Sequence, residues 1–357
     1  MCRRFGQTAH STAAAEGRRN AVNDLVTDLD TLQGHVGRLP APRDLKVIDY
    51  LDDNAMRWLA ASPFMFAAFG DPSGIRATAG GGETGFLRVT DPQSIQLPLT
   101  LLDDPSLARE GQGFGSLFLV PGIDETLRIN GRVRGVADGH IGVAVEECYL
   151  HCAKAFMRSG FWSATPVEVN VISDAAAFVE QSRFMALATM DNDGRADVSP
   201  KGDPAGVLLK AHQDAMWYPD RPGNRRVDSF RNILTQPRIA AMAVIPGSLD
   251  VMHVTGVASV STDEAVRASF AVNEKTPKLV TRIQHAECIV RRSEALSRAR
   301  LWPAVQTATG LEPAEIFKAH IKLSRVGGAE AALARASVSI PGMMRKGLDH
   351  DYKKNLY

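Results

Sequence analysis

The chain has 357 residues, with 41 Lys or Arg against 40 Asp or Glu, so its formal net charge is only +1. This balance argues against a general nucleic-acid-binding protein, and no apolar run reaches the ~18 residues that a membrane-spanning helix needs. Four cysteines in a chain of this length do not form a disulfide scaffold, so we expect a reducing, cytoplasmic location. The length accommodates two domains of ordinary size.

Residues 1–44 have no hydrophobic periodicity, and the first twenty are rich in Ala and Arg. They lack the apolar core of a secretory signal, so we predict a flexible leader, with a transit peptide as the alternative. The apolar positions of residues 49–59 then predict a short helix that leads into the first domain.

The first domain, module one, spans residues 45–165. Its apolar runs are short, rich in β-branched and aromatic residues, and bounded by Gly, Pro and Asp, as is typical of strands. The predicted strands are 64–69, 85–90, 94–98, 115–121, 125–136 and 142–149, and a predicted helix over 151–159 follows them.

The second domain, module two, spans residues 166–310 and repeats this series. Its predicted strands are 184–190, 206–210, 215–219, 239–246, 252–261 and 278–290, and its predicted helices are 227–235, 263–270 and 291–299. Many short strands with few helices predict a small antiparallel β-barrel in each module. After module two, the sequence predicts a helix over 313–323 and a basic arm packed on the surface.

The two modules share sequence landmarks in the same order. The run F-M-F-A-A-F at Phe64 recurs as F-M-A-L-A-T at Phe184, and Pro121-Gly122 recurs as Pro246-Gly247. The pattern E-C-x13-G-F-W at Glu147–Trp162 recurs as E-C-x13-R-L-W at Glu287–Trp302. A repeat of this length indicates two similar domains rather than a solenoid of short units.

Basic and hydroxyl groups are concentrated in module two. Arg195, Asp197 and Ser199 alternate along a predicted strand and therefore share one face, and Lys201 follows at its end. A Gly- and Pro-rich loop with Arg221, Arg225 and Arg226 then runs into a predicted helix that has Asp228 or Ser229 as its N-cap. Cations, a hydroxyl and a helix start together predict an anion site, with phosphate as the leading ligand. A solvated basic loop is the alternative.

These two segments, S-P-K-G-D-P-A-G (199–206) and D-R-P-G-N-R-R-x-D-S-x-R-N-I (220–233), resemble the FMN-binding split-barrel proteins related to pyridoxamine 5′-phosphate oxidase. The resemblance covers residues 45–310, and the terminal Asn355-Leu356-Tyr357 is similar to the end of one subfamily. It implies six-stranded antiparallel split barrels that pair, with FMN in the groove between them. By this resemblance Arg195 and Asp197 face the isoalloxazine or ribityl part of FMN, and the phosphate is held by Ser199, Lys201, Arg225, Arg226 and Ser229.

Module one departs from this pattern. Aligned on Gly74 and Gly194, it has small residues in place of Ser199 and Lys201, and its loop is acidic. Its later part instead has three basic residues at spacing i, i+3 and i+7 on one predicted helical face, namely His151, Lys154 and Arg158. Module two has Arg291, Glu294 and Arg298 there. We therefore expect a fused pseudo-dimer with one working site, formed by the cradle of module two and the helix of module one.

The resulting prediction is an FMN-dependent oxidoreductase that acts on a small molecule. His151 and Lys154 are the candidate catalytic residues, and Lys154 and Arg158 are expected to contact the cofactor. A non-catalytic flavin-binding or regulatory protein and a haem-binding split barrel are the alternatives. A zinc site at Cys148-x2-His151-Cys152 is disfavoured because structural zinc normally takes four ligands. Fusion is compatible with a monomeric pseudo-dimer or a homodimer.

Overall fold

A computed structural model describes residues 24–37, 45–167, 174–223, 226–305, 310–338 and 342–357. The fold is mainly β with peripheral helices, as predicted, and consists of two antiparallel sheets of the split-barrel type. In the described ranges each sheet is open rather than a closed barrel, with seven strands in one sheet and eight in the other.

Module one is preceded by β1 (Leu25–Val26), α1 (Leu29–Val36) and α2 (Asp53–Ala61). Its strands are β2 (Phe64–Asp71), β3 (Gly74–Gly81), β4 (Arg88–Asp91), β5 (Ser94–Pro98), β6 (Gly113–Leu119), β7 (Thr126–Ala137) and β8 (His140–His151), followed by α3 (Lys154–Ser159). The strand order across its sheet is β3-β2-β6-β7-β8-β5-β4.

Module two begins with α4 (Ala175–Gln181). Its strands are β9 (Phe184–Met190), β10 (Ala196–Gly202), β11 (Lys210–His212), β12 (Ala215–Pro219), β13 (Arg238–Val244), β14 (Asp250–Ser261) and β15 (Val280–Arg292). Its further helices are α5 (Asp228–Thr235), α6 (Glu264–Ser269) and α7 (Glu294–Ala299). The sheet order, β10-β9-β13-β14-β15-β12-β11, matches that of module one strand for strand when seven is added to each number.

The C-terminal segment returns to module one. It contains α8 (Pro313–Leu323), α9 (Ala329–Val338) and α10 (Met343–Lys354). Ile316 of α8 joins the core of module one, and the Tyr352 hydroxyl donates a hydrogen bond to Glu125 at 2.9 Å. Among the helices of the described ranges, none combines the length and the apolar character that a bilayer crossing requires.

Two expectations about the chain's organisation were wrong. Residues 24–37 are not a free leader, because β1 pairs with β14 and the side chains of Val26 and Leu32 enter the core of module two. Strand β3 was missed altogether. Its sequence, G-I-R-A-T-A-G-G, is rich in small residues and has no apolar alternation that marks it as a strand, so its pairing with β2 comes from the tertiary fold.

The two modules are held together by a third apolar core. Phe184 lies at its centre, with its ring centroid 4.6 Å from that of Phe156, 5.0 Å from Phe161 and 5.5 Å from Phe66. All four side chains are buried, and each contributes roughly 1.5–3 kcal/mol through removal of its apolar surface from water. This interface fixes the relative position of the modules and hence the groove between them.

Candidate functional site

A cavity of about 720 Å³ lies where the two modules meet the C-terminal segment. Module two contributes the end of β10, the loop before α5 and the first turn of α5. Module one contributes the end of β8 and the start of α3, and the C-terminal segment contributes α10 and the residues after it. The structure thus brings the predicted cradle of module two and the predicted basic residues of module one to one place.

The wall from module two presents groups that an anion can bind. Lys201 has no hydrogen bond or ion pair within the described part of the chain, and its ammonium lies 5.5 Å from the Phe230 ring centroid and 5.9 Å from that of Tyr218. Its burial lowers its pKa, while the charge of Asp220 opposes this. The hydroxyl of Ser229, in the first turn of α5, likewise forms no hydrogen bond with the described residues.

The first turn of α5 differs from the prediction in its N-cap, and Arg226 pairs with a residue of that turn. Helix α5 begins at Asp228, but its N-cap is Val227 in the left-handed conformation (φ 50°) without a side-chain cap, so the expected Asp or Ser cap was wrong. The Asp228 carboxylate instead accepts a 2.8 Å hydrogen bond from Arg226 Nε, and the Arg226 guanidinium lies 4.8 Å from the Tyr149 ring centroid. Arg225 lies outside the described residues.

Of the three residues predicted to share one strand face, Arg195 is separated from Asp197 and Ser199 in the structure. Arg195 precedes β10 and is mostly exposed, where it pairs with Asp193 at 3.1 Å, and it does not line the cavity. Asp197 is buried behind the cavity wall, and only Ser199 lines the cavity itself. The Ser199 hydroxyl donates to Asp197 at 2.9 Å. The alternation was right for Asp197 and Ser199, but the strand starts one residue too late to orient Arg195.

The wall from module one contains all three predicted basic residues. His151 ends β8 and Lys154 starts α3, so the single helical face of the prediction was wrong although both residues line the cavity. Lys154 forms an ion pair with Asp351 at 2.9 Å. Arg158 donates from Nε to the Gly202 carbonyl at 2.8 Å. The third basic residue therefore ties α3 to the end of β10.

His151 lines the cavity and has a buried ring nitrogen, Nδ1, without a hydrogen-bond partner in the described structure. Burial, followed by the nearby charges of Arg128 and Lys46, holds the pKa of His151 well below its usual range, so the ring is neutral at pH 7. A buried imidazole nitrogen without a partner is costly unless a ligand or water supplies one.

The C-terminal segment forms the remaining wall, which the sequence predicted only as a surface arm. The Leu356 carbonyl accepts a 2.9 Å hydrogen bond from Arg158, and the Arg221 guanidinium lies 5.4 Å from the Tyr357 ring centroid. Lys275 donates to the Tyr357 carbonyl at 2.9 Å. The segment therefore bridges both modules at the cavity.

Sequence reasoning also missed the side chain that joins the modules behind the cavity. Arg128 of β7 is fully buried and forms a 2.5 Å ion pair with Asp197. Nothing in its local pattern distinguishes it from the other arginines of β7, because its partners lie about 70 and 100 positions further along the chain. A buried arginine was detectable only from the inter-module geometry.

The charge of the cavity lining favours an anion. In the described residues the lining includes four Lys and three Arg against four Asp. One of those carboxylates, Asp220, has its pKa raised to about 6 by burial, with the opposing charge of Lys201 next in size. The excess of cations and the uncommitted hydroxyl of Ser229 fit a phosphate or another multiply charged anion.

Strand pairing corrects the alignment of the two modules. Phe64 pairs with Gly81, whereas Phe184 pairs with Gly202. Since the two phenylalanines occupy equivalent places, Gly81 corresponds to Gly202, and the alignment on the turn glycines was wrong by one residue. The cause is the β9–β10 turn, which is one residue longer than the β2–β3 turn.

In the corrected register Lys201 corresponds to Gly80, and Ser199 corresponds to Thr78. Module one thus keeps a hydroxyl at the serine position. The Thr78 hydroxyl is buried and accepts a 3.1 Å hydrogen bond from the Asp104 backbone amide, so the protein's own loop occupies it. Module one lacks a lysine equivalent to Lys201 and has no equivalent of the basic loop.

We call the place between β10 and α3 the open position and the equivalent place between β3 and α7 the closed position. At the closed position Arg298 donates from Nε to the Gly81 carbonyl at 2.9 Å, as Arg158 does to Gly202 at the open position. There Asp103 accepts hydrogen bonds from the Ser293 hydroxyl at 2.5 Å and from the amide of residue 295 at 2.8 Å. A carboxylate of the chain therefore fills the closed position.

Cys148 of the disfavoured zinc pattern is buried in the core of module one. Across the described ranges no group of three His, Cys, Asp or Glu side chains is arranged to hold a metal ion.

Three of the solved structures with a similar fold each match about one third of this chain. General stress protein 26 from Bacillus anthracis str. Sterne is 16% identical, covering 33% of this chain and 95% of its own, with a TM-score of 0.25. HupZ from Group A Streptococcus is 22% identical, covering 33% and 86% respectively, with a TM-score of 0.25. A putative pyridoxamine 5′-phosphate oxidase from Lactobacillus delbrueckii is 17% identical, covering 36% and 98%, with a TM-score of 0.24.

A comparison with curated protein sequences gives no match. The family model described as pyridoxamine 5′-phosphate oxidase matches residues 173–303. The matched region contains β9 to β15, the loop before α5 and the cation and hydroxyl groups of the open position. Residues 173–303, and with them most of module two, are therefore similar to the pyridoxamine 5′-phosphate oxidase family.

Proposed function

We propose that the chain binds one FMN in the cavity between its modules and acts as an oxidoreductase on a small molecule. The observation that carries this proposal is the meeting of two separate sets of groups at one cavity. Lys201, Arg226 and Ser229 come from module two, and His151 and Lys154 come from module one. If the basic loop of module two were only a solvated surface loop, a second set of basic residues would not be expected opposite it across a cavity.

The side chains present are suited to a flavin phosphate. Lys201 and Ser229 have donors with no hydrogen-bond partner in the described structure, and a phosphate has only acceptor oxygens at neutral pH. The cavity volume of about 720 Å³ lies within the range of roughly 300–1,000 Å³ that is typical of cofactor sites. The ring of His151 lines the same cavity, although its Nδ1 atom is buried from the cavity space.

When bound, the flavin supplies the hydride and electron transfer, and the chain's residues bind, orient and exclude water. The neutral ring of His151 offers a hydrogen-bonding group at the cavity wall without adding a charge there. Lys154 is held by Asp351, so its ammonium is kept in one place beside the cavity. We therefore assign His151 to contact with substrate or flavin, and Lys154 to electrostatic attraction of the anionic ligand.

We further propose that modules one and two are fused homologues that form a pseudo-dimer with a single site. The common strand order and the matched pair of Arg-to-Gly carbonyl hydrogen bonds support this relation. Only the open position combines a lysine on β10 with a lysine on α3, whereas the closed position has Gly80 and Glu294 there. A homodimer of such pseudo-dimers is compatible with one site in each chain.

The absorption and fluorescence of the purified chain, before and after incubation with FMN, test this proposal. We expect a flavin spectrum and saturable quenching of FMN fluorescence. An intense Soret band without flavin binding would instead support a haem protein. Flavin binding with no reduction by nicotinamides or deazaflavins, and no reoxidation by oxygen, would support a non-catalytic flavoprotein.

A further inference from the structure

Arg128 connects the two modules directly behind the proposed phosphate wall. Its side chain comes from β7 of module one and is fully buried. Its Nη2 donates to the Val198 carbonyl at 2.6 Å and to the Ser199 hydroxyl at 3.0 Å. Its Nη1 donates to the Tyr149 hydroxyl at 2.7 Å and pairs with Asp197 at 2.5 Å. One side chain of module one thus contacts three successive residues of β10 in module two.

The same guanidinium reaches the start of α5. Its Nη1 lies 3.5 Å from Asp228 Oδ2, which also accepts the 2.8 Å hydrogen bond from Arg226. Arg128, Arg226, Asp197 and Asp228 therefore form a buried network with two positive and two negative charges. Removing Arg128 leaves Asp197 without its ion-pair partner, while Arg226 still pairs with Asp228. The network then carries one uncompensated negative charge beside a site that has to accept an anion, and such a charge acts strongly at short range.

We propose that Arg128 is a positioning residue for the ligand's phosphate, an inference that rests on the proposed function. It does not line the cavity. It aligns β10 with the first turn of α5, neutralises Asp197 and Asp228, and directs the Ser199 hydroxyl away from the ligand. Phosphate selectivity in module two therefore depends on a side chain that module one supplies.

The hydrogen bonds of Ser199 show why its hydroxyl is directed away from the ligand. Its hydroxyl has one proton, and that proton is donated to Asp197 at 2.9 Å. Its oxygen accepts from Arg128, so Ser199 has no donor left for a phosphate oxygen. Ser229 has no such commitment within the described residues. We therefore assign the phosphate to Lys201, Arg226 and Ser229, and Ser199 to the support of the wall.

Within the described ranges, the closed position lacks this network of charged side chains. The network is therefore a feature of the open position. In the strand register, Arg128 corresponds to His253, and Asp197 corresponds to Arg76. The acid is replaced by a base, and the arginine is replaced by a histidine whose pKa is lowered by burial. Of the two positions in the described structure, the open one has an arginine that pairs with a strand carboxylate and the closed one does not.

Dissociation constants for FMN and for riboflavin, which lacks the phosphate, test the inference in the full chain. For Arg128→Met we expect FMN affinity to fall about 30-fold or more, and riboflavin affinity to change less than about threefold. Arg128→Met combined with Asp197→Asn removes both charges and is expected to recover most of the FMN affinity. Arg132→Met changes an arginine on the same strand whose guanidinium bonds to the Gly111 carbonyl, and it serves as the control.

A second pair of variants tests the hydroxyl assignment and does not depend on the folding of an Arg128 variant. We expect Ser229→Ala to weaken FMN binding about tenfold and Ser199→Ala about threefold or less. Thermal unfolding of each variant shows that it is folded. The reverse order of the two serines would overturn the hydroxyl assignment.

The outcomes separate this inference from the proposed function. Equal losses of FMN and riboflavin affinity in Arg128→Met, or no loss of either, would contradict the positioning role while flavin binding by the unmodified chain still stands. The absence of recovery in the double variant would also contradict it. Failure of the unmodified chain to bind either flavin would overturn the proposed function and this inference together.

Discussion

The open and closed positions share a backbone frame but differ in the side chains around it. In both, an arginine of the short helix donates to a glycine carbonyl at the end of a strand, at 2.8 Å for Gly202 and 2.9 Å for Gly81. In both, that glycine lies against the backbone of an alanine in the same helix. The open position borders a cavity of about 720 Å³, whereas Asp103 occupies the start of the helix at the closed position.

Under the proposed function, this difference means that the split-barrel frame alone is not sufficient for an anion site. At the closed position the strand lysine is replaced by Gly80, and the helix begins with Glu294 rather than a lysine. The frame remains because the apolar interface and the close glycine contacts hold it, independently of any ligand. The groups proposed to bind the ligand lie at the cavity and outside this apolar interface, so they can differ between the modules while the fold is kept.

The largest effect is expected from removing the cations of the open position. Lys201→Met with Arg226→Met eliminates two charge-assisted contacts to the phosphate, and we expect FMN affinity to fall at least about 100-fold. Fluorescence titration measures this loss. Arg109→Met, in the corresponding loop of module one, removes an exposed arginine paired with Asp71 and is expected to leave the affinity unchanged. Equal losses from the two changes would mean that the positions are not functionally different.

Substitution of Gly202 or Gly81 by alanine compares how tightly the backbone is packed at the open and closed positions, through the free energy of unfolding of each variant. A Cβ at residue 202 would lie 1.9 Å from the Ala155 carbonyl oxygen, whereas a Cβ at residue 81 would lie 2.9 Å from that of Ala295. We expect Gly202→Ala to lower the free energy of unfolding by about 2–3 kcal/mol and Gly81→Ala by about 1 kcal/mol. Denaturant unfolding measures both. A larger cost at residue 81 would show that the closed frame is the tighter one.

A buried carboxylate makes the open position sensitive to pH. Burial raises the pKa of Asp220 from 3.8 to about 6. Between about pH 4 and 6 the carboxyl is therefore protonated in the folded chain and ionised in the unfolded chain. Its contribution to stability is therefore full below pH 4 and is lost as the pH rises through 6. We expect Asp220→Asn to be more stable than the unmodified chain at pH 7 by about 3 kcal/mol, and about equally stable at pH 4. Thermal unfolding across this range measures it, with the exposed-site variant Asp214→Asn as the control.

The smallest effect is expected at the closed position. Asp103→Ala leaves the Ser293 hydroxyl and the amide of residue 295 without their acceptor, so we expect a loss of about 0.5–1 kcal/mol in the free energy of unfolding. FMN affinity should not change, because the open position is untouched. Thermal unfolding combined with flavin titration checks both. A gain of flavin binding in this variant would show that Asp103 alone closes an otherwise competent site.

Local sequence patterns predicted much of the fold. Strands at Phe184–Met190, Ala215–Pro219 and Ser94–Pro98 were predicted with their observed bounds, because their apolar runs end at turn residues. The helix Pro313–Leu323 was also predicted with its observed bounds, since proline at its first position and apolar periodicity mark it.

The site was predicted less completely. The approach of the module-two cradle to His151, Lys154 and Arg158 followed from comparing the two halves of the repeat. The network around Arg128 did not, because its contacts join residues about 70 to 100 positions apart. The wall formed by the C-terminal segment was missed for the same reason, since Asp351 pairs with Lys154 across nearly 200 positions. Sequence patterns report local preferences, and these contacts depend on how the modules pack.

The stoichiometry of FMN bound to the unmodified chain tests the central claim most directly. Titration of a known chain concentration, followed by flavin fluorescence and by absorbance after gel filtration, gives the number of flavins per chain. One FMN per chain, lost in Lys201→Met with Arg226→Met and retained in Asp103→Ala, is the result that a single divided site predicts. Two flavins per chain, or one that survives the loss of Lys201 and Arg226, would contradict it.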